Sequence, residues 1–188
     1  MTSLDIIGQR ALSTKQTLRA TYGIAKMLIE EGILGDFVEC GVFAGSQAAA
    51  MAKAMLDSGD TSRKVHLFDS FAGIPAGGPK DTNWTHPAGT SACSREAVWS
   101  HMKAWGVPDE LLVWHPGWFQ DTVPVSNIKQ IALLRLDGDL YESTMVCLGH
   151  LYARVSPGGW VIADDYGLPG CREAVNQFLG SEPIYWRK

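Results

Sequence analysis

Short apolar runs alternate with amphipathic stretches from Asp36 onward, and this alternation predicts a parallel sheet with helical crossovers. Five apolar runs predict strands, at 37–40, 65–68, 111–114, 131–136 and 160–163. The intervening stretches predict helices at 45–56, 94–105 and 141–155, with a last helix from Pro169. The tail at 183–188 has room for one short strand. The expected fold is therefore α/β, a Rossmann-like doubly wound, mostly parallel sheet flanked by helices, with a shortened C-terminal strand region.

Two segments depart from this alternation. Residues 1–34 read as a helical region, in which Ser13 and Gln16 form a capping-box pattern and Gly32 marks the helix end. This region is expected to cover a sheet edge or a dimer surface. Residues 71–93 are rich in Gly, Pro, Thr and Asn, and such long irregular segments in a compact domain are usually lids or binding loops.

Composition narrows the class of protein. A chain of 188 residues has room for one core, so we expect a single domain over 1–188. A net charge of −4 gives no reason to expect nucleic acid or an anionic membrane as a partner. The four cysteines lack metal-finger spacing, and the N-terminus lacks the pattern of a signal peptide. Reduced thiols and a cytoplasmic location are the expectation.

Carboxylates follow two apolar strands at the point where each strand ends. Asp137 and Asp139 end the fourth strand, and Asp164 and Asp165 end the fifth. Adjacent parallel strands would bring these groups to one edge, about 5 Å apart by strand spacing. Like charges this close need a cation, and oxygen ligands select Mg²⁺ first, with Mn²⁺ or Ca²⁺ possible. The alternative is that Asp137 or Asp139 simply caps the next helix.

A second candidate site follows the first strand. Glu39 ends that strand, Gly41 allows a sharp turn, and Ser46 opens a helix, without the G-x-G-x-x-G pattern of dinucleotide-binding folds. Asp69 ends the second strand, where Rossmann-like folds place a carboxylate for ribose hydroxyls. A ligand with a ribose and a cationic amino-acid part, such as S-adenosylmethionine, fits both acids. The alternative is that both acids are solvated strand ends.

Aromatic residues add candidates whose roles stay open. Trp118 and Phe119 could flank the adenine or pack under the sheet edge. Trp84 and His86, near the middle of 71–93, could contact acceptor or adenine, or lie in solvent. His115 could line the cofactor pocket or make a structural hydrogen bond.

Several motifs together resemble a known family. They are E-C-G-V at 39–42, L-F-D-S-F at 67–71, P-G-W-F at 116–119, L-D-G-D-L-Y-E-S-T at 136–144 and G-G-W-V-I-A-D-D-Y at 158–166. In order and spacing they resemble the TylF-type macrocin O-methyltransferase family, from about residue 35 to 178. The loop after the first strand departs from the family pattern, because Ala44 stands where a basic residue is common.

The resemblance implies a class I methyltransferase fold, S-adenosylmethionine and Mg²⁺ as cofactors, and O-methylation of a sugar hydroxyl on a natural product. Carried over by position, Asp139 is the general base and the metal ligands are Asp137, Asp164 and Asp165. The predicted cofactor-binding residues are Glu39, Gly41, Val42, Gly45, Ser46, Asp69, Ser70, Trp118, Phe119 and Asp137.

The expected partner is a hydroxylated small molecule, in particular a glycoside, with a homo-oligomer such as a dimer possible. Three other functions stay open at this point. A catechol- or phenol-type O-methyltransferase would share cation and cofactor. An NAD(P)-dependent oxidoreductase would share the fold class, and a non-catalytic scaffold could have kept the fold.

Overall fold

The sheet has the predicted doubly wound arrangement. A computed structural model describes residues 3–7, 14–180 and 185–187. The strand order is β3-β2-β1-β4-β5-β6, with β1 to β5 parallel and β6 antiparallel to β5. The strands are β1 (Asp36–Cys40), β2 (Val65–Asp69), β3 (Leu112–Pro116), β4 (Ile131–Leu136), β5 (Val155–Ala163) and β6 (Tyr185–Arg187).

Seven helices accompany these strands among the described residues. They are α1 (Ser3–Ile7), α2 (Lys15–Glu30), α3 (Ser46–Asp57), α4 (Arg95–Ala104), α5 (Phe119–Thr122), α6 (Tyr141–Leu151) and α7 (Pro169–Leu179). No helix in this part of the chain is long and apolar enough to cross a membrane. All four cysteines are free thiols.

Alternating side chains of the central strands build one core on each face of the sheet. Phe37 and Leu133 pack with α2, α3 and α4 on one face. Val38 and Leu134 pack with α6 and α7 on the other. Helix α3 is rich in alanine and almost wholly buried, so small side chains let it lie close to the sheet. The crossing between the two halves of the sheet lies at β1 and β4, where doubly wound folds bind ligands.

The N-terminal helix is confirmed with a shifted start. Ser13 lies outside the described residues, and α2 is capped by Thr14, whose Oγ1 accepts a hydrogen bond from the Thr17 N–H at 3.2 Å. At the other end Gly32 has a φ of +69° and the Ile33 N–H bonds to the Leu28 carbonyl. This is the glycine-terminated helix end that the sequence predicts.

The predicted boundary between α6 and the fifth strand was wrong. Helix α6 ends at Leu151, a 3-10 turn covers Tyr152–Arg154, and β5 already begins at Val155. Residues 157–159 fall between the predicted helix at 141–155 and the predicted strand at 160–163, but they lie inside β5, where its register against β4 shifts. A Pro-Gly-Gly run fits an irregular strand as well as a helix stop, because a bulge tolerates both residue types.

His115 makes a structural hydrogen bond and does not line the cavities described below. Its Nε2 lies 2.9 Å from His66 Nδ1, and His66 Nε2 lies 3.1 Å from Asp36 Oδ2. The His115 ring also stacks on Phe68, with ring centroids 4.0 Å apart. Burial, assisted by the neighbouring His66, lowers the pKa of His115 to about 4.

This depressed pKa predicts a pH dependence of stability. The unfolded chain binds a proton at His115 near pH 6.5, whereas the folded chain does so only near pH 4, so His115 destabilises the fold as pH falls through this window. We expect His115→Gln to lose less unfolding free energy than the wild type between pH 7 and pH 4 in urea titrations. His150→Gln, on the exposed side of α6, is the matched control. An unchanged slope in His115→Gln would contradict the assignment.

Candidate active site

The carboxyl ends of β1, β4 and β5 meet at one edge and fix the acidic residues there. The Asp137 N–H bonds to the Cys40 carbonyl at 2.8 Å, and the Asp164 N–H bonds to the Leu136 carbonyl at 2.9 Å. These bonds continue the sheet ladder past the strand ends. Gly41, with φ +95°, permits this close approach, because a Cβ there would lie 1.7 Å from the Asp137 carbonyl oxygen.

Three predicted metal ligands are brought together at this edge. Asp137, Asp164 and Asp165 each offer a carboxylate oxygen, and these oxygens lie within 4.8 Å of one another. Burial, and then the charge of Asp137, raises the pKa of Asp165 to about 8. Burial also raises the pKa of Asp164. A divalent cation would compensate the repulsion between these carboxylates and favour their ionised forms. Clustered carboxylate oxygens are also the ligands that Mg²⁺ prefers.

Arg135 is a residue of this site that sequence reasoning missed. Its guanidinium is fully buried in β4 and contacts Glu39 at 3.2 Å, Asp137 at 2.5 Å and Asp164 at 3.0 Å. Burial alone would lower the pKa of Arg135, but these three carboxylates outweigh it and raise that pKa. Arg135 is therefore a permanent internal cation. An arginine inside an otherwise apolar strand was the available signal, since arginine is almost never fully buried unless paired.

Asp139 lies beside the acidic cluster in a left-handed backbone conformation, with φ +59°. Its N–H donates to Asp165 Oδ2 at 2.9 Å, which fixes the loop between β4 and α6. Burial, followed by the charge of Asp137, raises the pKa of Asp139 to about 6, and His86 acts in the opposite direction. A carboxyl group with this pKa can both accept and release a proton near neutral pH.

Glu39 is buried at the end of β1, with 1% of its surface exposed. Burial raises its pKa to about 8 despite the attraction of Arg135. A positively charged ligand group beside Glu39 would favour the carboxylate form. Its environment therefore suits the cationic ligand that the sequence predicts.

A cavity of about 700 Å³ opens at this edge of the sheet. Most of the predicted cofactor-binding residues line it, namely Glu39, Gly41, Val42, Ser46, Asp69, Ser70, Trp118, Phe119 and Asp137. Gly45 is the exception. It is the N-cap of α3 with φ +88°, and a Cβ there would lie 2.7 Å from Met102 Cε on α4. Glycine at this position therefore permits helix packing.

Asp69 organises the loops around the cavity. Its Oδ2 accepts hydrogen bonds from the Val42 N–H at 2.6 Å and the Phe43 N–H at 3.1 Å, and its Oδ1 accepts one from the Phe71 N–H at 2.7 Å. Phe43, with φ +45°, also lines the cavity and was not predicted. Because a carboxylate has about four acceptor positions, Asp69 keeps limited capacity for a ligand hydroxyl.

The segment 71–93, called the lid below, contains neither helix nor strand and is closed on itself. The Ile74 N–H bonds to the Thr90 carbonyl at 2.8 Å, and the Gly89 N–H bonds to the Ile74 carbonyl at 2.9 Å. Ile74 also lines the large cavity. The lid is therefore an ordered loop whose two arms pair beside the site.

A second cavity, of about 380 Å³, lies between the lid and the acidic cluster. Trp84, His86 and Leu168 line it, and the Trp84 and His86 ring centroids lie 4.9 Å apart. Asp139, Asp164 and Asp165 line both cavities. The candidate base and two candidate metal ligands thus lie where two binding spaces meet.

Two O-methyltransferases are similar to this chain in sequence. The chain is 38% identical over 167 residues to 8-demethyl-8-(2,3-dimethoxy-alpha-L-rhamnosyl)-tetracenomycin-C 4'-O-methyltransferase of Streptomyces olivaceus, a match that covers 84% of this chain and 64% of that protein. It is 34% identical over 185 residues to mycinamicin III 3''-O-methyltransferase of Micromonospora griseorubida, over 85% of this chain and 71% of that protein. The chain therefore spans about two thirds of the length of these relatives.

Solved structures show the same fold. The O-methyltransferase NovP superposes with a TM-score of 0.82 at 32% sequence identity, covering 93% of this chain and 80% of that one. The sequence matches the family described as Macrocin-O-methyltransferase (TylF) over residues 3–185. With that match spanning nearly the whole chain, the protein belongs to the macrocin O-methyltransferase (TylF) family.

Proposed function

We propose that this protein transfers the methyl group of S-adenosylmethionine to a hydroxyl group of a small-molecule glycoside, with a divalent cation. The observation that carries the proposal is the position of Asp139 beside the Asp137–Asp164–Asp165 cluster, where the two cavities meet. The names of the two relatives describe O-methylation of natural products, one of them carrying a named rhamnosyl group. That activity is extended to this shorter chain as a proposal.

The larger cavity is assigned to the cofactor. Glu39 would bind the cationic amino-acid part of S-adenosylmethionine, since it is the buried acid at the end of β1. Asp69 and Ser70 would bind the ribose hydroxyls, and Trp118 and Phe119 would flank the adenine. Burial raises the pKa of Glu39 in the free protein, and a cationic ligand group beside it would favour the ionised carboxylate.

The cation is assigned to Asp137, Asp164 and Asp165. Their oxygen donors favour Mg²⁺, with Mn²⁺ or Ca²⁺ as alternatives. When bound, a cation of this kind supplies Lewis-acid polarisation that makes a hydroxyl group more acidic. Arg135 makes ion pairs with Asp137 and Asp164, and these contacts hold both carboxylates at the edge of the sheet.

The reaction itself requires one proton acceptor and correct alignment. Asp139 would take the proton from the acceptor hydroxyl, and the oxygen would form a bond to the methyl carbon as the carbon–sulfur bond breaks. S-adenosylhomocysteine, the methyl ether and protonated Asp139 are then the products. Holding both reactants in line can contribute roughly 7–11 kcal/mol to the rate enhancement.

The smaller cavity is assigned to the acceptor. Trp84 and His86 give it an aromatic wall from the lid, and Asp139 also lines it. A sugar ring presented there would place a hydroxyl group next to the base. The homo-oligomer expected from the N-terminal region stays a prediction.

Cofactor binding can be tested without knowing the acceptor. We expect S-adenosylhomocysteine to raise the melting temperature of the protein in a thermal-shift titration, because ligands that bind only the folded state stabilise it. NAD⁺ serves as the comparison ligand. Stabilisation by NAD⁺ alone would support an oxidoreductase and contradict the proposal.

The cation site predicts a direct binding result. Asp165 makes no ion pair with Arg135 among the described residues, so Asp165→Asn removes one ligand charge and leaves the buried ion pairs intact. We expect Mn²⁺ affinity in calorimetry to fall at least about tenfold, as losses of one interaction at a metal site commonly do. Asp121→Asn, exposed on α5, is the matched control. Equal Mn²⁺ affinity in Asp165→Asn and the wild type would remove Asp165 from the metal site.

A further inference from the structure

We propose that Asp81 of the lid is a positioning residue for the base Asp139, because it caps helix α6 and fixes the loop that carries Asp139. This inference rests on the proposed role of Asp139. It assigns the lid a second task besides covering the acceptor: the lid helps to build the catalytic loop.

Asp81 is a buried carboxylate that satisfies the first turn of α6. Its Oδ1 accepts a hydrogen bond from the Tyr141 N–H at 2.7 Å, across 60 positions of sequence. Its Oδ2 accepts one from the Gly78 N–H at 2.7 Å within the lid. Leu140, the N-cap residue of α6, makes no side-chain capping bond. The cap that a neighbouring residue usually provides is therefore supplied by the lid.

A glycine in α7 makes room for this carboxylate. A Cβ built on Gly170 would lie 1.9 Å from Asp81 Oδ1 and 3.1 Å from the Tyr141 nitrogen. Gly170 is the second residue of α7, so Asp81 enters between the first turns of α6 and α7. Helix N-termini carry partial positive charge, and two of them here face one carboxylate.

The capped position is close to the base along the chain. Tyr141 follows Asp139 by only two residues, and the intervening Leu140 N–H bonds back to the Gly138 carbonyl at 2.6 Å. Asp139 itself holds a left-handed conformation, which costs a non-glycine residue free energy and persists only where the surroundings impose it. Two hydrogen bonds impose this conformation. Asp165 accepts one from the Asp139 N–H, and Asp81 accepts one from the Tyr141 N–H at the end of the loop.

The neighbouring Lys80 joins the lid to α7 through its side chain. Its Nζ lies 2.9 Å from Glu173 Oε1 and 3.1 Å from Gln177 Oε1, both on α7. These contacts are exposed, so they contribute little to stability. Lys80 Nζ also lies 3.9 Å from the centroid of the Tyr141 ring. Lys80→Met therefore removes the side-chain contacts of the lid with α7 and Tyr141 but keeps the Asp81 hydrogen bond to the Tyr141 N–H, which makes it a control for that one bond.

The test combines turnover with two binding measurements. We expect Asp81→Ala to lower kcat by about 10- to 100-fold, the range for one lost hydrogen bond to a charged group. Asp81 also lines the larger cavity, but both of its oxygens already accept backbone hydrogen bonds. Dissociation constants for S-adenosylhomocysteine and Mn²⁺ should therefore stay within about twofold of wild type. Asp81→Asn keeps one acceptor oxygen and should recover part of kcat, whereas Lys80→Met should leave kcat within about twofold.

Gly170→Ala provides an independent route to the same defect. Alanine normally favours a helix over glycine, so helix propensity alone predicts that Gly170→Ala leaves stability unchanged or raised. We expect Gly170→Ala to lower kcat, because the new Cβ displaces the Asp81 carboxylate. In a double-mutant cycle, most of the Gly170→Ala effect should vanish in the Asp81→Ala background.

Amide exchange separates this inference from the proposed function. In Asp81→Ala the Tyr141 amide should exchange about 10- to 100-fold faster, whichever reaction the protein catalyses. A wild type without methyl transfer would refute the proposed function and, with it, the role assigned to Asp139. Unchanged exchange at Tyr141, an unchanged kcat in Asp81→Ala, or an equal loss in Lys80→Met would overturn the role of Asp81.

Discussion

Asp139→Asn is expected to lower the turnover of methyl transfer by about 10²- to 10⁴-fold, the usual contribution of a general base. The asparagine side chain has nearly the same size and can occupy the same left-handed loop, but it cannot take the proton. The backbone bond from residue 139 to Asp165 Oδ2 does not involve the substituted side chain. The measurement is kcat with S-adenosylmethionine and a reactive acceptor at saturating cation.

Binding measurements make this result specific to the proton transfer. Dissociation constants for S-adenosylhomocysteine and Mn²⁺ should remain near the wild-type values, since Glu39 and the three metal-binding carboxylates are unaltered. Asp121→Asn on the exposed side of α5 serves as the matched control for loss of one negative charge. Turnover of Asp139→Asn close to wild type would exclude Asp139 as the base.

Arg135→Met is expected to destabilise the cation-free protein by about 3–5 kcal/mol, the cost of breaking a buried ion pair from one side. The substitution leaves the buried Glu39 and the neighbouring Asp137 and Asp164 without their shared cation. The measurement is the free energy of unfolding in urea with EDTA present. Arg172→Met, at an exposed position of α7, is the control and should change this free energy little.

A second part of the Arg135 experiment uses the cation. If Asp137, Asp164 and Asp165 bind Mg²⁺, the added charge compensates part of the loss, so Mg²⁺ should stabilise Arg135→Met more than it stabilises the wild type. Arg135→Lys keeps a positive charge but loses the planar fork that reaches three carboxylates, so an intermediate stability is expected. Wild-type stability of Arg135→Met in EDTA would show that the buried ion pairs are unimportant.

The position of the acidic cluster was predictable because it follows from simple rules about parallel sheets. Apolar runs of strand length alternate with helices, and a crossover between neighbouring parallel strands returns the chain to the same edge. Asp137 and Asp164 end two such strands, and the structure joins β4 to β5 directly. The same rule placed Glu39 and Asp69 at the ends of neighbouring strands β1 and β2.

Contacts between residues that are distant in sequence were harder to predict from local sequence patterns. Arg135 was read as one more strand position, since hydrophobic alternation does not say which polar residue will be buried and paired. Asp81 caps a helix from 60 positions away, whereas capping patterns are read from adjacent residues. The irregular start of β5 was missed for a similar reason. Pro157 and Gly158 are residue types that often end a helix, and only their pairing with β4 in the folded protein makes them part of a strand.

Cation-dependent methyl transfer to a hydroxyl group of a glycoside is tested most directly by acceptor turnover. The protein would be incubated with S-adenosylmethionine and a panel of natural-product glycosides and phenols, with either Mg²⁺ or EDTA, and methylated products would be identified by mass spectrometry. The predicted result is an O-methylated glycoside that forms with Mg²⁺ and is lost in EDTA. Full activity in EDTA would contradict the cation's role, and methylation confined to phenols would contradict the glycoside assignment.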